Sequence, residues 1–226
     1  MAETLTTLAK RLRPLLLSVA KSAANAVITA GEGPGIDIAN NLIGLGGDTI
    51  LLYKANGNPV AEFAKTASVA ALAAAAAGDV IILPPCSISG DLTIPAGVAV
   101  VGIGRDKCTI IGQVSLAAGS EIENLTIAPT GNSPSVIIGV SGPASGETHI
   151  YNCSIAPTNS GTGGVHAADV SSDGLLYCHN CLLDGRNVAI GAIGYAGYLA
   201  PLAIGALYVV DGCMALGYDP DNPFNE

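Results

Sequence analysis

Ile122-Glu123-Asn124-Leu125-Thr126-Ile127-Ala128-Pro129 can be laid over Ile150-Tyr151-Asn152-Cys153-Ser154-Ile155-Ala156-Pro157, and both over Cys178-His179-Asn180-Cys181-Leu182-Leu183. Asn124, Asn152 and Asn180 stand 28 residues apart, twice in succession. A looser fourth copy, Val210-Asp211-Gly212-Cys213-Met214-Ala215, follows 32 residues after the third. A recurring period of this length marks a repeat architecture. In a strand, every second side chain faces the same way. Ile122 and Leu125 therefore fall on opposite faces unless Asn124 bends the chain. With a bend at each asparagine, both apolar residues point inward. Leu125, Cys153, Cys181 and Cys213 then stack as one interior column. Ile127, Ile155 and Leu183, joined by Ala215, form a second. Asn124, Asn152 and Asn180 become a polar ladder whose amides bond from coil to coil. A buried free cysteine is a small hydrophobe, so thiols suit such a column.

The texture around the repeat agrees. From Asp79 onward, short β-rich runs (Val80–Leu83, Leu92–Ile94, Val98–Ile103, Thr109–Ile111, Val114–Leu116) are separated by Gly, Pro, Asn and Ser. A sandwich has the same texture, and the repeat decides for a mainly β fold built as a parallel β-helix over residues 66–216. Coil length varies before residue 122, as loops of a solenoid do. Residues 67–77 read as a capping helix, with Ser68 as N-cap and Gly78 as the stop. Upstream, Thr49–Tyr53 and Val60–Phe63 flank Ala55-Asn56-Gly57-Asn58, which predicts a hairpin. That hairpin and a Gly-rich connector make up residues 31–65.

Residues 1–30 read as an α-helix. Leu5, Leu8, Leu12, Leu15, Val19, Ser22 and Ala26 alternate in steps of three and four, a heptad seam with one narrow apolar stripe. Such a stripe needs a partner, and a second copy of the chain supplies it. Pro14 interrupts the helix. The expectation is a homo-oligomer joined through this segment. At the other end, residues 191–216 are apolar and read as the last coil with its cap, or as a contact between copies. Residues 217–226 form a polar tail.

Composition narrows the function. The chain has 226 residues, with 9 Lys+Arg against 18 Asp+Glu, a net charge of -9. Half of it is apolar, while 12% is charged and 4% aromatic. That argues against disorder, and the acidic balance argues against a nucleic-acid partner. No run of 18 apolar residues is present, so no membrane-spanning helix is expected. Lys10, Arg11 and Arg13 before Leu15-Leu16-Leu17 mimic a secretory signal, but Pro14, Ser18 and Lys21 break the pattern. The cysteines at 86, 108, 153, 178, 181 and 213 accordingly read as buried free thiols.

Chemistry-bearing motifs are sparse. After Lys65 the basic residues are Arg105, Lys107 and Arg186, all in turn-like contexts. Among the acids, Asp169 and Asp173 read as solvent-facing turn residues, and Asp184 and Asp211 as offset from one another. Cys178-His179-Asn180-Cys181 is half a zinc site, with only His149 and His166 as further histidines. Gly102-Ile103-Gly104 has no helix pattern after it and is not a dinucleotide loop. No catalytic residue, cofactor or metal is assigned.

Gly78-Asp79-Val80-Ile81-Ile82-Leu83-Pro84-Pro85 after an Ala-rich helix resembles the entry to the pectin lyase-like superfamily of right-handed parallel β-helices. Leu92 to Gly102 is similar to that family's first full turn, and Glu121 to Ile127 to its strand-and-asparagine motif. The resemblance covers about residues 66–215 and implies fold more than activity. Together with the N-terminal helix, connector and hairpin, the layout resembles trimeric phage tail fibres and tailspikes. The resemblance thus implies a non-enzymatic virion component, assembled in the host cytoplasm, with other virion proteins or a surface glycan as partners. The alternatives are a polysaccharide lyase or glycoside hydrolase on the same fold, and an extracellular or cell-surface adhesin or filament subunit.

Overall fold

The computed structural model describes residues 49–55, 61–170, 173–188, 193–199 and 207–217. The N-terminal helix with Leu5, Leu8, Leu12, Leu15 and Val19, the Asn56-Gly57 turn and the tail beyond Gly217 lie outside the described residues.

The chain is mainly β with parallel sheets. It opens with two strands, β1 (Thr49–Tyr53) and β2 (Ala61–Ala64), paired antiparallel. A helix follows, α1 (Ser68–Ala74). It is shorter than its alanine-rich stretch suggests, and its N-cap is Ala67, without a side-chain capping bond. Ser68, expected as the cap, is instead buried in the first turn.

From here the chain visits three sheets in a fixed order. The first circuit is β3 (Val80–Leu83), β4 (Cys86–Ser89) and β5 (Leu92–Ile94). The second is β6 (Ala99–Gly102), β7 (Cys108–Ile111) and β8 (Val114–Leu116). The third is β9 (Glu121–Glu123), β10 (Thr126–Ile127), a short β11 (Thr130–Gly131) and β12 (Ile137–Ser141). The fourth is β13 (Ser145–Tyr151), β14 (Ser154–Ile155), β15 (Thr158–Asn159) and β16 (Val165–Val170). The fifth is β17 (Asp173–His179), β18 (Leu182–Asp184) and β19 (Gly194–Leu199), and β20 (Leu207–Asp211) with β21 (Met214–Leu216) begins a sixth.

These strands assemble into an eight-stranded sheet (β2-β1-β3-β6-β9-β13-β17-β20), a six-stranded sheet (β4-β7-β10-β14-β18-β21), a five-stranded sheet (β5-β8-β12-β16-β19) and a small two-stranded sheet (β11-β15). Every pairing is parallel except the two made by β1. In the first sheet Val80, Ala99, Glu121, His149, Tyr177 and Val209 lie side by side, so successive spacings are 19, 22, 28, 28 and 32 residues. The 28-residue period is therefore local to the middle circuits. The extra residues there form the segments that carry β11 and β15. Buried Asn159 organises them: its carbonyl accepts from the Ser133 and Gly161 N–H groups, and its amide donates to the Ser133, Ser135 and Gly164 carbonyls.

Inward side chains repeat in register. Ile81, Val100, Ile122, Ile150 and Cys178 form one column. Ile88, Ile110, Ile127, Ile155 and Leu183 form another. Leu92, Val114, Val140 and Ala168 form a third. All belong to one apolar core. Each large side chain buried this way is worth roughly 1.5–3 kcal/mol. At the start of the stack, α1 packs Ala71 and Leu72 onto this core. Asp79 ties that end together: its carboxylate accepts from the Lys54 ammonium at 2.9 Å and from the Ala55 and Ala76 N–H groups at 2.9 and 2.8 Å.

Candidate functional site

The repeat motif is an architectural corner. Asn124, Asn152 and Asn180 stand at φ 58°, 49° and 54°, in the left-handed region that asparagine tolerates better than most residues. The corner lets Leu125, Cys153 and Cys181 turn inward beside Ile122, Ile150 and Cys178, and all six are buried. Ile127, Ile155 and Leu183 are buried two residues on, while Cys213 is half-buried and Ala215 is exposed. Asn152 bonds to Asn124, whose own amide donates to Glu123 at 3.2 Å. In the last circuit Gly212 takes the same corner at φ 62°. A Cβ there would sit 2.5 Å from the Asn180 Oδ1, so any side chain would require that carboxamide to shift.

The outer face of the eight-stranded sheet carries a cluster of rings. His149 and Tyr177 are in register on β13 and β17, as are Tyr151 and His179. Their rings stack at 4.8 Å (interplanar 11°) and 4.9 Å (interplanar 13°). Parallel strands lie about 4.8 Å apart, which is close to an aromatic stacking distance. Register alone therefore builds the stack. The rings cover one another's faces, and both nitrogens of His149 are buried within the stack. Glu121 and Glu123 adjoin on β9, and Asp211 adjoins on β20, 82% exposed and 3.7 Å from the His179 Nδ1. Sequence reading weighed His149 and His179 only as metal ligands and missed the stack. The signal was present: carrying the 28-residue overlay back to position 149 puts His over Tyr and Tyr over His.

A second polar group sits on the five-stranded sheet. The His166 Nδ1 and Asp169 Oδ2 are 2.8 Å apart, with residue exposures of 8% and 6%. Asp169 was expected at a solvent-facing turn, and the structure corrects this. Strict alternation puts residues three apart on opposite faces. The strand departs from it between Ala167 and Ala168, both fully buried, and so brings His166 and Asp169 together. Tyr195 on the neighbouring strand meets the imidazole edge-on at 5.4 Å. Its position in register with His166 makes the contact.

Asp184 and Asp211 do not converge. Asp184 holds Arg186 by two bonds of 3.0 Å across a turn, which keeps its carboxyl below the usual range. Asp211 is in register with His179 and Asp184 with Leu216, so these two acids are offset. Among the described residues no three His, Cys, Asp or Glu side chains are grouped to hold a metal ion. No described helix is long and apolar enough to cross a membrane.

All six cysteines are free thiols. Cys86 and Cys108 are in register on β4 and β7. The Cys108 Sγ donates to the Pro84 carbonyl at 3.0 Å, and its effect on Cys86, ahead of burial, pushes the Cys86 thiol up. The effect of Cys86 draws the Cys108 thiol down to about 6 against the effect of its burial. The Ile103 N–H adds a donor at 3.3 Å. In the second thiol group, the Cys178 thiol draws Cys181 down to about 7, with burial opposing, while burial pushes Cys153 up.

Comparison with protein-family models, with curated proteins and with solved structures finds no match.

Proposed function

We propose that the chain is a non-enzymatic structural component of a virion, of the tail-fibre or spike type. In this reading residues 66–216 wind as a right-handed parallel β-helix, residues 1–30 gather the copies into a homotrimer, and the stack presents a rigid surface. One observation carries it: the inward column Ile81, Val100, Ile122, Ile150 and Cys178 keeps its register through five successive strands. A column of that length resists bending, because each strand is bonded to the strands on either side and shares one core with them. The ring cluster supports a presenting role. Tyrosine hydroxyls and the His179 imidazole along one sheet face suit a hydroxyl-rich glycan, and the flanking carboxylates disfavour a polyanion. The test is solution mass together with electron microscopy. An elongated trimer that falls to monomers on deletion of residues 1–30 is the expected result. A monomeric full chain, or a map with two face-to-face antiparallel layers, overturns the reading.

A second reading has its own observation. The His166–Asp169 pair beside Tyr195 is a base with its orienting carboxylate. On that reading the chain is a polysaccharide lyase or hydrolase, with His166 moving the proton. Depolymerisation of a polysaccharide panel by the wild-type chain, lost in His166→Ala, would favour it over the structural role.

A further inference from the structure

We infer that Cys86 and Cys108 form an oxidative modification site: a small disulfide such as oxidised glutathione converts the two thiols into a disulfide that ties the first circuit to the second. The inference rests on the pairing of β4 with β7 and stands whether or not the chain belongs to a virion.

Three observations carry it. The first is register. Cys86 and Cys108 are direct neighbours on parallel strands, and a strand spacing of about 4.8 Å lies inside the Cα separation that disulfides span. The second is the mutual effect of the two thiols, in which Cys108 pushes Cys86 up and Cys86 draws Cys108 down. The third is access. Cys108 is buried, whereas Cys86 is half-buried. A reagent therefore reaches Cys86 first and leaves its partner waiting behind it. The sulfur that waits accepts from the Ile103 N–H at 3.3 Å and, as a thiol, donates to the Pro84 carbonyl at 3.0 Å; the effect of Cys86 draws it down to about 6, toward the thiolate. The Cys86 thiol is pushed up by Cys108 and by burial, and the Lys65 ammonium opposes them, so Cys86 is the slower nucleophile of the two.

The chemistry balances. The Cys86 thiolate attacks one sulfur of the small disulfide, forms a mixed disulfide and expels one thiolate. The Cys108 thiolate then attacks the Cys86 sulfur and expels the second. The two protons released from the protein end on the two small thiols. Directly opposed Cβ atoms on neighbouring strands are roughly 5 Å apart, slightly wider than a relaxed disulfide prefers. The strands must close a little, so the bond is strained and readily reduced. Cys181 and Cys213 are neighbours too, but buried Cys178 acts on the Cys181 thiol more strongly than half-buried Cys213 does. They serve as the internal comparison.

The test uses the full chain, purified reduced and then incubated with oxidised glutathione. Free thiols are blocked under denaturing conditions before tryptic cleavage. Arg105 and Lys107 lie between the two cysteines, so they fall in separate peptides, 66–105 and 108–186. Cys86 is the only cysteine of the first peptide, and Cys213 is alone in 187–226. The expected result is a loss of two of the six thiols, with peptide 66–105 linked to 108–186. The thermal unfolding midpoint should rise by roughly 5 °C, and mild reductant should reverse both changes. Cys108→Ser should hold glutathione on Cys86 without a link, and Cys213→Ser should leave the link intact. Six thiols still free, a link to peptide 187–226, a link that survives Cys108→Ser, or disulfide-joined dimers would each overturn the inference.

Discussion

Asn152 donates its side-chain amide to the side-chain carbonyl of Asn124 one circuit earlier, and both backbones stand at positive φ. The two facts share a cause. The corner must turn the chain sharply enough for Ile150 and Cys153, three residues apart, to point into one core. A left-handed residue makes that turn, and stacking the corners brings the carboxamides within reach of each other.

Substitutions at Asn152 should separate the two contributions. Asn152→Gly keeps the backbone and loses the bond, at a cost of about 1 kcal/mol. Asn152→Ala also places an ordinary side chain in the left-handed region, which adds about 1–2 kcal/mol. Asn152→Val should cost most, because its β-branch is least tolerant of positive φ. Urea unfolding of the three variants gives the order. Equal losses for Gly and Ala would mean that backbone strain is not what asparagine relieves.

Leu125 follows that corner and is fully buried. Leu125→Ala should lose roughly 2–5 kcal/mol, since neighbouring circuits hold the cavity open. Leu125→Asp should abolish folding, because an unpaired carboxylate in this column costs several kcal/mol. Circular dichroism checks both. A soluble, cooperatively unfolding Leu125→Asp chain would show that the column does not face inward.

The corner columns were legible in the sequence because each inward position repeats its chemistry: Leu, Cys, Cys, Cys at one step, and Ile, Ile, Leu at the next. The parallel sheets follow from that repetition. Other features were hidden for physical reasons. Outward positions repeat register but not chemistry, so His149 over Tyr177 looks like no motif until the strands are aligned. The His166–Asp169 pair depends on a break in strand alternation at Ala167 and Ala168, and two alanines announce nothing. The bounds of α1 depended on packing as well. Alanine extends a helix readily, yet the chain turns extended at Ala75, where Asp79 takes the Ala76 N–H.

Asp79 should make the start of the stack sensitive to acid. Burial opposes its charge, but the Lys54 ammonium and the N–H groups of Ala55 and Ala76 outweigh burial and hold its carboxyl below the ordinary 3.8. A carboxyl lowered in the folded state stabilises the fold above its unfolded value, and that contribution is lost as pH falls through the lower folded value. The wild type should therefore lose stability below about pH 4. Asp79→Asn should start less stable at pH 7, by of order 2 kcal/mol, and change less on acidification. Denaturant midpoints at pH 7 and pH 3 make the comparison. A mutant with the same acid loss as the wild type would assign the sensitivity to other carboxylates.

The ring cluster can be tested without disturbing the core, because it lies on the outer face of its sheet. Tyr177 stacks on His149, so Tyr177→Leu should cost about 1 kcal/mol through the lost ring contact. Tyr177→Phe keeps the ring and should be nearly neutral to stability, while removing one hydroxyl from the presented edge. The pair of variants distinguishes a scaffold from a recognition face. If the cluster only stiffens the sheet, Phe behaves as wild type in every assay and Leu lowers the unfolding midpoint alone. If the face meets a glycan, retention of the Phe variant on a glycan array falls while its unfolding midpoint stays put. The polar edge then contributes to binding in proportion to its hydroxyls, and stacking serves to hold that edge in place.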